Sequence, residues 1–331
     1  LRMGKPSAQK QDNAFPFAYP EDAKTGDDLL KKKRKADEKY LEKVWRTMQT
    51  EIATQKIKNV ETHSRVKGKY SNGKFDTIAE AGKDIYLGID AKLQLYGEQL
   101  MQNKKGSVVA IDPKTGQILA LISSPGYNPN LLVGRERSGN YSRLLKDSLV
   151  PLMNRATMGT YPPGSTFKMV NALVGLQEKS IRKSTEFACK GPLSLPIKCT
   201  HNHETPLDLS GAIEQSCNPY FWNTFKSILE NPAYSGSHEG YEHWYKNVTS
   251  FGFGHKFKTD IPFEVSGNIP NNSYYDKLYR GSWNALTVRS LSIGQGEILV
   301  TPIQLANLSV IIANKGYYYP PHLLVKREGM D

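Results

Sequence analysis

The sequence predicts an α+β fold preceded by a small domain of different character. Three observations lead there. Apolar and polar residues alternate in strand fashion between residues 84 and 122, helical periodicity takes over further along, and one helix beginning near Ser165 is apolar on nearly every side. Strands first and helices later, arranged around one buried helix, describe an α+β domain rather than a doubly wound one. With 331 residues the chain has room for two domains.

Residues 1–30, rich in Pro, Gly, Lys and Asp, read as extended or loop. From Asp28 to Lys58 helix formers dominate, with Leu41, Val44, Trp45, Met48 and Ile52 at helical spacing. Asn72-Gly73 suggests a hairpin tip. The composition shifts near residue 80, which divides the chain into residues 1–80 and residues 81–331. Asp84–Ile89 alternates as a strand, and Asp90 is placed to cap a helix running through Leu93, Leu95, Tyr96 and Leu100. Ser107–Asp112 and Gln117–Ile122 are two strands joined by the turn Pro113-Lys114-Thr115-Gly116. After an irregular stretch with two cysteines and two histidines, a helix is expected over Leu209–Leu229. A loop-rich section follows Phe251-Gly252-Phe253-Gly254, and Thr301–Asn314 reads as a largely apolar helix.

Charge and composition exclude more than they identify. The formal charge is +12, and Lys31-Lys32-Lys33-Arg34-Lys35 supplies five of the positives. Asp27, Asp28, Asp37, Glu38 and Glu42 flank that run, so a solvated helix is the better reading. No recognition helix or zinc finger accompanies it, and nucleic acid is not expected as a partner. No apolar run approaches 18 residues, so no membrane span is expected within this sequence. Both ends, Leu1-Arg2-Met3-Gly4-Lys5 and Val325–Asp331, read as the interior of a longer chain.

The chemistry centres on Tyr161-Pro162-Pro163-Gly164-Ser165-Thr166-Phe167-Lys168. The prolines hold the chain extended, Gly164 permits a sharp turn, and Ser165 is expected to cap the helix that follows. Lys168 is the only charge from Thr166 to Gln177, and a lone lysine in apolar surroundings has its pKa lowered. Three positions apart on a helix, Ser165 and Lys168 share a face, which sets a weak nucleophile beside an amine able to take its proton. Ser-x-x-Lys also begins at Ser7, Ser64, Ser71 and Ser180, but in polar surroundings without the turn. Downstream, Ser216-Cys217-Asn218 offers a hydroxyl and a carboxamide two residues apart within helical sequence.

Ser165-Thr166-Phe167-Lys168 followed by Ser216-Cys217-Asn218 resembles the first two motifs of the penicillin-recognising serine transpeptidases. Ser124-Pro125-Gly126-Tyr127-Asn128-Pro129-Asn130 and Ser292-Ile293-Gly294-Gln295-Gly296-Glu297 are similar to the same family, in its class B, elongation-specific (penicillin-binding protein 2) branch. The resemblance covers about residues 80–325. It implies the β-lactamase-like fold, an antiparallel sheet with helices on both sides, and a remnant of a non-catalytic pedestal domain over residues 1–80. It further implies a DD-transpeptidase of peptidoglycan stem peptides, acylated at Ser165 by substrate or by β-lactam antibiotics, with no catalytic cofactor. Lys168 would be the acylation base, Ser216 a proton relay to the leaving amine, and Asn218 a substrate-binding group that orients Lys168. By the same analogy the protein works on the periplasmic side of the inner membrane through an N-terminal anchor, beside a membrane glycosyltransferase. A penicillin-binding sensor or scaffold, and a β-lactamase or DD-carboxypeptidase, are the rival readings.

The family's third motif, Lys-Thr/Ser-Gly, follows the second in sequence. Here Lys-Thr-Gly occurs only at Lys24 and Lys114, both before Ser165, so the motif is expected beyond Asp331 and the domain is expected to be incomplete. A chain ending there is expected to label poorly with a fluorescent penicillin. Cys189, Cys199, His201 and His203 could together hold a structural zinc ion, or Cys189 and Cys199 could form a disulfide. Cys217 is expected to face the core as a free thiol.

Overall fold

The structure, a computed structural model, describes residues 84–327. The residue 1–80 domain, its Asp28–Lys58 helix and basic run, the Asn72-Gly73 hairpin and the Lys24 motif lie outside the described residues. Contacts divide the described residues into a small unit, residues 84–88 with 324–327, and a large one, residues 89–323. In the small unit, β1 (Ile85–Leu87) pairs antiparallel with the last strand, Leu324–Arg327, with Ile85 opposite Arg327.

The large unit opens with α1 (Ala91–Leu100), and the Asp90 carboxylate accepts hydrogen bonds from the Lys92 and Leu93 amides at 2.9 and 3.0 Å. β2 (Gly106–Ile111) and β3 (Ile118–Ser124) form an antiparallel ribbon, with Val108 opposite Ile122. Lys114-Thr115-Gly116 is the turn between them: the Asp112 side chain accepts from Lys114 N at 3.0 Å and from Thr115 Oγ1 at 2.9 Å. This Lys-Thr-Gly is turn chemistry, as its residue types suggest. α2 (Arg137–Lys146) and the short α3 (Arg155–Met158) follow.

A 3-10 turn, Gly164–Phe167, leads directly into α4 (Lys168–Gln177). Then come α5 (Leu209–Glu214), α6 (Asn218–Leu229), α7 (Ser237–Ser250) and α8 (Asn272–Tyr279), a second 3-10 turn over Arg289–Ile293, and α9 (Pro302–Ala313). α1, α3 and α9 pack on the β2–β3 ribbon, whereas α4 packs among α6, α7 and the Arg289–Ile293 turn. Phe167, Val170, Val174, Phe225, Trp244, Phe253 and Leu291 fill that second core. This explains why α4 is apolar on several sides: it has packed neighbours on several sides.

Three elements differ from the sequence expectation. The helix expected over Leu209–Leu229 is two helices, interrupted at Ser216, whose φ is 47°. Ser165 is the second residue of a 3-10 turn and not a helix cap, since Pro163 flanks that turn and α4 begins only at Lys168. α7 and α8 were not anticipated. Tyr241, Trp244 and Val248 nonetheless lie at helical spacing and are fully buried.

Candidate active site

Extended backbone delivers the chain to the first motif. Tyr161 N donates to Val300 O and Val300 N to Tyr161 O, both at 2.9 Å, which fixes the entry strand. Gly164 then turns with φ 59°, a conformation that glycine adopts without steric penalty. The tight turn leaves Ser165 exposed and sends Phe167 and Lys168 into the core. Lys168 N donates to Ser165 O and closes the turn, so the two residues stand one 3-10 turn apart.

Lys168 is 3% exposed. Its ammonium has three N–H groups and meets three acceptors: Ser216 O at 2.7 Å, Ser216 Oγ at 3.0 Å and Asn218 Oδ1 at 2.6 Å. The Phe221 ring lies beneath it, 5.7 Å from nitrogen to centroid. Burial lowers its pKa to about 8, against the pull of the nearby Cys217 and Cys199 thiols, which favour the charged form. Lys168 of the first motif and Ser216 and Asn218 of the second, 48 and 50 positions apart, are therefore brought to one place.

The break at Ser216 is what makes this arrangement available. Cys217 N donates to Ala212 O at 3.0 Å and Ser216 N to Ile213 O at 3.1 Å, the two bonds of a Schellman helix end, with Ser216 in the left-handed position usually held by glycine. That conformation turns both the Ser216 carbonyl and its hydroxyl toward Lys168. α6 starts immediately afterwards with Asn218 in its first turn, and Asn218 Nδ2 donates to Lys198 O at 3.0 Å. A serine held left-handed costs about 1 kcal/mol, a strain found typically at functional positions. Ser216→Gly should therefore melt at or above the temperature of Ser216→Ala. Melting curves check this, and a glycine variant distinctly less stable than the alanine one would contradict the strain account.

Behind this wall lies a second cluster. One donor atom each from Cys189, Cys199, His203 and Cys217 lies within 4.8 Å of all the others. All three cysteines are free, so the Cys189–Cys199 disulfide is not formed. His201 is exposed and stands outside the cluster; its Nδ1 lies 3.0 Å from Thr200 Oγ1, and Cys217 takes the fourth place. The sequence places Cys217 only in the core, because 13 residues, with the break at Ser216 among them, separate it from His203. Cys217 faces the cluster while its neighbours Ser216 and Asn218 face Lys168. Burial raises Cys217 to about 12. Burial also pushes Cys199 up, but hydrogen bonds from the His201 and Asn218 amides, with His203 and Cys189, bring it down to about 7. His203 Nδ1 lies 2.7 Å from Glu204 O, which leaves Nε2 free to face the sulfurs, 3.6 Å from Cys199 Sγ.

The model of the penicillin binding protein transpeptidase domain matches residues 106–329 of this chain. Peptidoglycan D,D-transpeptidase MrdA of Acinetobacter baumannii is 37% identical over 257 residues, which is 75% of this chain and 36% of that protein. The crystal structure of Pseudomonas aeruginosa PBP2 in complex with WCK 5153 superposes with a TM-score of 0.66 at 33% identity, over 75% of this chain and 56% of that one. Penicillin-binding protein A from M. tuberculosis, as an imipenem acyl-enzyme complex, superposes with a TM-score of 0.61 at 27% identity, over 75% of this chain and 56% of that one. The chain thus spans little more than a third of the length of the A. baumannii relative.

Proposed function

This chain belongs to the penicillin-binding protein transpeptidase domain family, and from that premise we propose that it is the catalytic part of a class B, elongation-type peptidoglycan D,D-transpeptidase. The observation that carries the reading is the buried Lys168 amine, bonded to Ser216 and Asn218 one short turn from the exposed Ser165. Ser165 Oγ attacks the carbonyl of the D-Ala-D-Ala bond of a stem peptide and passes its proton to neutral Lys168 Nζ. The tetrahedral intermediate collapses by breaking the C–N bond, and the proton reaches the departing D-Ala amine through Ser216 Oγ. An amine of a neighbouring stem then takes the acyl group from Ser165, forming the cross-link and restoring the hydroxyl. Asn218 holds Lys168 through Oδ1 and would offer its half-buried carboxamide to the substrate backbone. The Ser165 amide, in the first turn of its short helix, supplies one oxyanion donor. β-Lactams present the same acyl carbon and are trapped on Ser165.

Protein expressed from its native gene, incubated with lipid-linked donor strands and stem acceptor, separates the readings. Cross-linked product supports transpeptidation. Free D-Ala or hydrolysed β-lactam without cross-links would instead support a hydrolase, and stable acylation with neither product a sensor.

The Cys/His cluster fits a structural zinc ion held by Cys189, Cys199, His203 and Cys217 in place of the set with His201. Three sulfurs and one imidazole are a zinc-type donor set, and ligands of a tetrahedral zinc ion lie roughly 3.7 Å apart, within the spread seen here. His203 Nδ1 against the Glu204 carbonyl is the outer-shell contact that orients an Nε2 ligand. When bound, zinc would supply folding energy rather than chemistry, holding the Cys189–Cys199 segment against the start of α6. Elemental analysis should find one zinc per chain, and a chelator should lower the melting temperature by several degrees. Protein free of zinc, with three thiols titrating at once, would remove the site.

No helix among the described residues is long and apolar enough to cross a membrane. The periplasmic face of the inner membrane and a membrane glycosyltransferase partner follow from the functional reading, because the lipid-linked donor strands are made there.

A further inference from the structure

Asn171 lies three residues beyond Lys168 on α4 and is completely buried. Its carboxamide is oriented by three partners. Trp244 Nε1 donates to Oδ1 at 2.8 Å, while Nδ2 donates to Ser292 O at 2.9 Å and to Leu291 O at 3.3 Å. One indole donor and two carbonyl acceptors admit only this orientation of the amide. Neither aspartate nor a hydrocarbon could replace it: a carboxylate would face two carbonyl oxygens, and leucine would leave Trp244 Nε1 and Ser292 O unpaired in the core, with Leu291 O keeping only Gly294 N.

The carbonyls that Asn171 holds belong to the Arg289–Ile293 turn, which ends at Gly294 with φ 67°. Gly294 is where that turn meets the nucleophile. Gly164 N donates to Gly294 O at 2.8 Å. A Cβ built on Gly294 would lie 2.3 Å from Gly164 O and 2.6 Å from Phe167 Cβ, so the two backbones are in direct contact. The Gly164–Phe167 turn therefore rests on Gly294, and the height of Gly294 is set from beneath by one buried amide.

We propose that Asn171 is a positioning residue for acylation: by tying α4 to the Arg289–Ile293 turn, it fixes the Gly294 carbonyl that seats the Ser165 turn beside Lys168. This rests on the reading of Ser165 as nucleophile. Ser165 is set by the turn and Lys168 by the helix, and Asn171 couples the two through α4 on one side and Gly294 on the other. A displacement of about 1 Å between nucleophile and base can cost about 100-fold in rate, so a contact remote from substrate has a kinetic signature.

The test is Asn171→Leu in the protein from its native gene, followed by hydrogen–deuterium exchange without any ligand. Exchange in peptides spanning residues 160–168 and 288–296 should rise about tenfold or more, with residues 106–124 unchanged. Ile118→Ala, a cavity variant in the separate cluster with Ile261 and Ile303, should not raise exchange in those two peptides selectively. With a β-lactam, Asn171→Leu should lower the first-order acylation constant about 10- to 100-fold and leave the half-saturating concentration within about threefold. Asn171→Asp should not rescue, because its carboxylate matches the amide in size but has no N–H for the Ser292 and Leu291 carbonyls. Should the leucine variant fail to fold, Trp244→Phe, which removes the indole donor from the amide together with part of the buried ring, should raise exchange several-fold in the same peptides. Unchanged exchange over residues 160–168 in whichever variant folds overturns the proposal, whatever the acylation rates. The expected exchange pattern in a protein that never acylates would uphold the tie between Asn171 and the Gly164–Phe167 turn and overturn the transpeptidase reading instead.

Discussion

On the proposed reading, Ser165→Ala should abolish covalent β-lactam labelling and transpeptidation altogether while leaving the melting temperature essentially where it was. The asymmetry follows from placement. Ser165 is exposed on a turn whose neighbours Pro163, Phe167 and Lys168 are buried, so its hydroxyl contributes little to packing. On that reading its loss removes the atom that forms the acyl bond, and Ser216 Oγ, which already receives a hydrogen bond from Lys168, is not expected to replace it. Intact-mass spectrometry after β-lactam treatment reads the outcome directly. An adduct persisting in Ser165→Ala, or one mapping elsewhere in the wild type, would displace Ser165 as nucleophile.

If Lys168 is the acylation base, Lys168→Met should lower the acylation rate by about 10³-fold, the range over which a positioned general base acts. Methionine roughly matches the aliphatic stem and removes the amine. Relief from burying a charge then opposes the loss of bonds to Ser216 O, Ser216 Oγ and Asn218 Oδ1, and stability changes little. The same amine sets the pH profile. With its pKa lowered by burial to about 8, the neutral form required of a base grows as pH rises. Acylation in the wild type should climb about tenfold per pH unit from pH 6 toward pH 8 and then level. The profile should lose that limb in Lys168→Met. A wild-type rate flat between pH 6 and pH 8 would mean that Lys168 is not the titrating base.

The first motif was the most legible part of the molecule, because its signal is a contradiction: a charge where a helix is otherwise apolar. Nothing but function or a buried partner maintains Lys168 there, and the structure supplies the partners. The β2–β3 ribbon was equally legible, since alternation and the Pro113–Gly116 turn are local signals. The break at Ser216 was not, because Gln215-Ser216-Cys217 carries neither glycine nor a charge pattern to end a helix. Pro219 was the overlooked clue: proline is tolerated in the first turn of a helix, so it marks a beginning near Asn218 rather than an interior. Cys217 joins the cluster only because the strained conformation at Ser216 redirects the chain, a consequence of tertiary structure that spacing does not encode. Asn171 was invisible for the opposite reason: on a helix facing the core it reads as a small polar interruption until its three partners are known.

The contact between Gly164 and Gly294 has a consequence for variation in this protein. Where backbone lies on backbone, no side chain stands between the nucleophile and its support, so a library of substitutions cannot widen or narrow that spacing by degrees. Saturation of position 294 should return glycine alone among active clones. Altered drug susceptibility, if selected, will have to be written in the residues that face outward around Ser165.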